Sequence, residues 1–166
     1  MITIISGTNR PGSNTARVAR QYQQLLEAKS VSTHLLSLEG LNVHERNRDI
    51  LELEKKVLIP TEKFIFISPE YNGSIPGVLK SLIDITDISK VWWGKKALLT
   101  GISTGRAGNL RGMEHLTGVL NYVKVVVHPN KLPISVVDKL LNGVGIITDK
   151  GTLDAIHVQL DEFLSF

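Results

Sequence analysis

The chain contains no cysteine. Disulfides, a thiolate nucleophile, thiolate-bound zinc and cysteine-ligated iron–sulfur clusters are therefore excluded. Aromatic residues are sparse at 5% of the total, and no stretch approaches the ~20 apolar residues needed to cross a bilayer. Charge of one sign is not concentrated either. Nineteen basic residues stand against 16 acidic ones, a formal net charge of +3, and pairs such as Arg17 and Arg20, Lys55 and Lys56, or Lys95 and Lys96 are scattered. Without a Lys/Arg stripe interleaved with aromatics, nucleic-acid binding has no support. The opening Met1 to Ser6 runs straight into Gly7-Thr8-Asn9-Arg10, with no basic n-region and no apolar run of signal length. A soluble, cytoplasmic protein with no nucleic-acid and no membrane partner is expected. His34, His44, His115, His128 and His157 have no metal-ligand spacing, and no GxSxG elbow occurs. No metal site and no catalytic acid, base or nucleophile is assigned.

What is present is an ordinary globular composition over 166 residues, 42% hydrophobic and 21% charged. That length suits one domain with a full core, so residues 1–166 are expected to form a single unit. Short β-branched runs alternate with segments of helical spacing. Strands are expected at 2–6, 31–38, 64–68, 96–103 and 124–128. Helices are expected at 13–29, 50–58 and 75–84, around Leu110, Met113, Leu116 and Leu120, and around Leu153, Ile156, Leu160 and Phe163. Residues 129–148 read as irregular, with at most one short extended piece. Asp84 and Asp87 read as solvated helix residues, and Trp92 and Trp93 as apolar cover or a subunit contact. Five apolar strands alternating with helices imply an α/β three-layer sandwich, a parallel sheet covered on both faces. The common strand order for five is 2-1-3-4-5, with ligands bound at the carboxyl ends of the strands.

Unusual residues should then collect after strands one, three and four. The first loop, Gly7-Thr8-Asn9-Arg10-Pro11-Gly12-Ser13-Asn14-Thr15, offers hydroxyls, one guanidinium and a helix start, as a phosphate dianion requires. It is neither a Walker loop nor GxGxxG, and a capped strand-to-helix turn is the alternative reading. The second, Ser68-Pro69-Glu70-Tyr71-Asn72-Gly73-Ser74-Ile75-Pro76-Gly77, fixes irregular backbone able to line a flat heterocycle; a rigid turn is its alternative. The third, Ser103-Thr104-Gly105-Arg106-Ala107-Gly108-Asn109, adds small residues and donors beside a helix start.

The first loop resembles the Gly-Ser-x-Arg-x-x-Ser-x-Ser/Thr/Asn signature, and the second is similar to Pro-Glu-Tyr-Asn-x-Ser-x-Pro-Gly-x-Leu-Lys-Asn. Both signatures belong to the NADPH-dependent FMN reductases, flavodoxin-like proteins that include quinone, azo-dye and chromate reductases. Thr8 stands where Ser is usual, Asn9 where Leu is common, Ser81 where Asn is frequent, and Ile85 where Trp often follows. The resemblance implies a flavodoxin-like, FMN-binding domain. Thr8, Arg10, Ser13 and Thr15, with Asn14 beside them, would hold the FMN phosphate. Pro69, Glu70, Tyr71, Asn72 and Gly73 would hold the ribityl chain and isoalloxazine, and Ser103, Thr104 and Gly105 would face the ring.

The implied activity is hydride transfer from NADPH or NADH to bound FMN, then to a small acceptor such as a quinone, azo compound, metal oxyanion or free flavin. A homodimer or homotetramer is implied in the same way. The alternative is a flavodoxin-type FMN electron carrier docking to redox proteins, but such carriers tend to be strongly acidic.

Overall fold

A computed structural model describes residues 1–166. The strands are β1 (Ile2–Ser6), β2 (Thr33–Ser37), β3 (Lys63–Pro69), β4 (Lys96–Ile102), β5 (Val126–Val127) and β6 (Leu132–Ile134). The helices are α1 (Asn14–Ala28), α2 (Arg48–Leu53), α3 (Gly77–Ile85), α4 (Leu110–Tyr122), α5 (Val137–Leu140) and α6 (Lys150–Ser165). The sheet is parallel in the order β2-β1-β3-β4-β5, with β6 also paired to β4. This is the flavodoxin-like order expected.

The alternation of side chains along each strand divides the core into two faces. Ile5, Phe64, Phe66, Ala97 and Leu99 join Leu79, Leu82, Met113, Leu116 and Leu120, from α3 and α4, on one face. Ile2, Ile4, Ile65, Ile67 and Leu98 join Val18, Tyr22 and Leu26 of α1 and Ile156, Leu160 and Phe163 of α6 on the other. Each fully buried Leu, Ile or Phe contributes about 1.5–3 kcal/mol, so two covered faces account for the hydrophobic, β-branched character of β1, β3 and β4. Inside the second face, Tyr22 Oη lies 2.9 Å from Thr100 Oγ1 and donates to Gln159 Oε1 at 3.0 Å. Burial pushes this phenol well above its ordinary pKa, which keeps it neutral.

The fifth strand differs from the expected run at 124–128. It is split: Val126 and Val127 pair with Lys96 and Ala97, and Leu132 to Ile134 pair with Thr100 to Ile102. Pro129 has no N–H for the ladder and ends the first piece. The α6 residue Gln159 occupies the gap, donating through Nε2 to Leu99 O at 3.0 Å and to Asn130 O at 2.9 Å. Two smaller differences have capping explanations. The Asn47 side chain caps α2 by accepting from Ile50 N–H at 3.0 Å, so this helix starts ahead of the expected 50, and it passes into a π-helical turn at Glu54–Leu58. Asp87 is a cap rather than a solvated helix residue: Oδ1 accepts from Ser89 N–H at 3.1 Å and Lys90 N–H at 3.0 Å. Trp92 is buried against Phe64, with ring centroids 5.0 Å apart, whereas Trp93 is exposed beneath Lys124.

Candidate active site

The registers bring the three loops to one rim. Ser6 pairs with Ile67, Ser68 with Gly101 and Pro69 with Ile102, so β1, β3 and β4 end side by side. Beyond their ends opens a cleft of about 520 Å³. Its walls include Arg10, Ser13, Asn14 and Thr15 of the first loop, Pro69 to Gly73 of the second, and Ser103, Thr104 and Gly105 of the third. Every residue assigned to the flavin from the sequence lines it except Thr8. Thr8 is 2% exposed and lies behind the wall, its Oγ1 2.6 Å from the Tyr71 phenol oxygen.

In the first loop the chain turns directly from β1 into α1. Ser13 caps the helix, its Oγ accepting from Ala16 N–H at 3.1 Å. The N–H groups of Ser13, Asn14 and Thr15 have no acceptor within the chain. They sit at the positive end of a 15-residue helix, where the summed peptide dipoles favour an anion. The Arg10 guanidinium lies 4.1 Å above the Tyr71 ring, a cation–π contact.

The second loop is a tight hairpin. Tyr71 and Ser74 exchange main-chain hydrogen bonds of 2.9 and 3.1 Å. Asn72 and Gly73 between them have φ of 52° and 77°, the left-handed pair that a type I′ turn requires. Asn72-Gly73 is the strongest short-range sequence signal for that turn. The far end is tied to α4, with Ser74 Oγ 2.8 Å from His115 Nδ1.

The third loop is clamped from several sides. Ser103 Oγ donates to Gly105 O at 2.9 Å and accepts from Gly108 N–H at 3.0 Å. Val136 N–H donates to Gly105 O, and Val137 N–H to Ser103 O, each at 3.0 Å. Gly101 allows the loop to fold back onto β4, since a Cβ there would lie 2.2 Å from Gly108 O. Asn109 is fully buried at φ 64°. Its Nδ2 donates to Ser68 O at 2.9 Å and Pro69 O at 3.0 Å, locking the third loop to the end of β3. Meanwhile the N–H groups of Thr104, Gly105 and Arg106 have no acceptor within the chain.

Sequence reasoning passed over Asn109, which reads as an ordinary residue before a helix; only its buried amide reveals the clamp. It also passed over Arg106 and Val137 of the cleft wall. Arg106 lay inside a loop already marked, whereas Val137 comes from the aperiodic stretch 129–148 and gave no signal. The chain has no grouping of His, Asp or Glu with metal-binding geometry. No helix is long and apolar enough to cross a membrane.

The sequence profile of the NADPH-dependent FMN reductases matches residues 1–137. Among individual relatives, a 2-hydroxy-1,4-benzoquinone reductase from a Burkholderia species is 24% identical over 99% of this chain and 94% of its own. A quinone reductase from Escherichia coli K12 is 26% identical over the same shares of the two chains. Among solved structures, the flavoenzyme NAD(P)H:acceptor oxidoreductase FerB from Paracoccus denitrificans superposes with a TM-score of 0.80 at 25% identity, covering 99% of this chain and 94% of that one. A flavodoxin from Pseudomonas aeruginosa shares the fold at a TM-score of 0.64. By the match over most of its length, the chain belongs to the NADPH-dependent FMN reductase family of oxidoreductases, whose cofactor is FMN and whose electron donor is NAD(P)H.

Proposed function

We propose that the cleft is the FMN site and that this chain is an FMN-dependent NAD(P)H oxidoreductase delivering electrons to a small acceptor, a quinone in the first instance. The observation that carries the reading is convergence: three loops distant in sequence line one cleft at the carboxyl rim, where doubly wound sheets bind their ligands.

The residues suit the group. A flavin mononucleotide needs an anchor for a dianion and a slot for a flat ring. The unpartnered N–H groups of Ser13, Asn14 and Thr15, at the start of α1 and beside Arg10, provide the first. Pro69, Gly73, Gly105 and Ala107, with little side-chain bulk, line the cleft together with Tyr71 and leave room for a flat ring. Bound FMN would supply the redox chemistry, accepting hydride from NADPH or NADH and passing electrons to the acceptor. The chain's own part is to bind and orient. The N–H groups of Thr104, Gly105 and Arg106 have no acceptor within the chain and are available as donors where negative charge develops against this loop. The guanidiniums of Arg10 and Arg106 at the cleft favour approach of an anionic nucleotide.

Steady-state oxidation of NADPH and of NADH, with FMN and a benzoquinone, tests the assignment. Turnover well above that of free FMN is expected; turnover no greater than free flavin would favour the electron-carrier reading. An azo dye, a metal oxyanion and free flavin as acceptors would then rank substrates. A homodimer or homotetramer is proposed with this reading, supported by the exposed Tyr122 and Ile88 flanking a depression between α3 and α4; sedimentation velocity tests it. A cytoplasmic location, in keeping with the absence of cysteine, is checked by cell fractionation.

A further inference from the structure

Thr8 falls outside the cleft wall although it belongs to the loop that builds it. Three contacts define its position. Its hydroxyl lies 2.6 Å from the Tyr71 phenol oxygen, across 63 residues of sequence. The same oxygen accepts from the Arg10 N–H at 3.3 Å. The Arg10 guanidinium lies 4.1 Å from the centre of the Tyr71 ring. The hydroxyl is therefore engaged on both sides and is 2% exposed. Arg10 and Tyr71, in contrast, face the cleft.

We propose that Thr8 is a positioning residue: through the Tyr71 phenol its hydroxyl fixes the ring on which the Arg10 guanidinium lies, and so sets the preference for a phosphorylated over an unphosphorylated flavin. The inference rests on the reading of the cleft as an FMN site. It separates two roles that one loop sequence would otherwise merge, a hydroxyl that touches the phosphate and one that aims the cation that does. The Tyr71 ring is suited to the relay because its hairpin is held at both ends, by Thr8 at Tyr71 and by His115 at Ser74. An arginine side chain on the surface otherwise samples many rotamers, and ordering it in advance removes part of the entropic cost of binding.

The test is the ratio of FMN to riboflavin affinity, measured by quenching of flavin fluorescence in the wild type and in Thr8→Val, Thr8→Ser, Tyr71→Phe and Arg10→Met, and in Thr8→Val combined with Arg10→Met. Arg10→Met is expected to lower the ratio about tenfold or more, as for a lost charge-assisted hydrogen bond. Thr8→Val and Tyr71→Phe should each lower it about two- to fivefold, the range of a cation–π contact at a partly exposed site. Thr8→Ser should retain the wild-type ratio. In the Arg10→Met background, Thr8→Val should change nothing further. The idea is overturned if Thr8→Val leaves the ratio intact, or lowers it equally with and without Arg10, which would make Thr8 a direct phosphate ligand. Should Thr8→Val fail to fold, Tyr71→Phe tests the same link without altering the first loop. A wild-type protein that binds neither flavin would instead sink the FMN assignment itself, and binding of FMN with an insensitive Thr8→Val sinks the relay alone.

Discussion

At the amino edge of the sheet the lysine cations are consumed by the fold; at the carboxyl edge, where side chains such as Ser103 and Asn109 clamp the loops, two sets of backbone N–H groups are left free. Lys63 Nζ, at the start of β3, donates to the carbonyls of Phe163 at 3.0 Å and Leu164 at 2.9 Å. Lys96, at the start of β4, donates to Phe166 O. Both cations thus meet the negative end of α6 and its otherwise orphaned carbonyls. Lys95 holds Ile59 O at 2.9 Å and Thr61 O. On the flank, buried Glu54 takes both a bidentate Arg46, at 3.2 and 2.6 Å, and the Asp87 N–H at 2.6 Å. The carboxyl rim keeps unpartnered N–H groups at Ser13 to Thr15 and Thr104 to Arg106. The difference teaches that this fold separates stability from binding by position: satisfied groups close one end, and donors spared from the fold open the other.

Breaking the satisfied end should lower stability without touching the flavin. The largest effect is expected for Glu54→Ala, which removes a buried carboxylate together with its bonds to the exposed Arg46 guanidinium and the part-buried Asp87 N–H. A loss of about 2–3 kcal/mol in urea unfolding with unchanged FMN affinity in the folded protein would fit. Gly101→Ala should couple the two ends instead. Its Cβ would collide with Gly108 O at 2.2 Å and crowd Met113 Sδ at 3.0 Å, so about 1–3 kcal/mol of overpacking strain should accompany a fall in FMN affinity as the third loop lifts. Lys96→Met should cost about 1 kcal/mol in thermal unfolding and leave flavin binding alone.

The smallest expected effect is a pH dependence. Hydrogen bonds from the Lys90 backbone and the Ser89 side chain hold the Asp87 carboxyl down at about 2. A folded pKa below the unfolded value of about 3.9 means that its contribution is complete above that value and is lost as pH falls through about 2. Asp87→Asn should flatten this part of the acid branch of the stability curve, read by chemical unfolding at stepped pH. An unchanged acid branch would remove Asp87 from the account.

The layers of the molecule were legible in the sequence because Phe64 to Ser68 and its companions carry a period that burial on two faces enforces. The three loops were legible for a different reason: turns such as Asn72-Gly73 and caps such as Ser13 have local chemistry that needs no partner to be read. What escaped depended on distant neighbours. The split of the fifth strand requires Gln159 to fill the gap, the burial of Asn109 requires the carbonyls of Ser68 and Pro69, and the placement of Thr8 requires Tyr71. No local pattern encodes such contacts.

The contrast between the edges can be read amide by amide in one titration of isotopically labelled protein with FMN, followed by backbone amide NMR. The account predicts that Ser13, Asn14, Thr15, Asn72, Gly73, Thr104, Gly105 and Arg106 shift together and saturate, while Glu54, Lys63, Lys95 and Lys96 stay still. Saturable shifts confined to the depression between α3 and α4 or to the amino edge, with the rim silent, would contradict it.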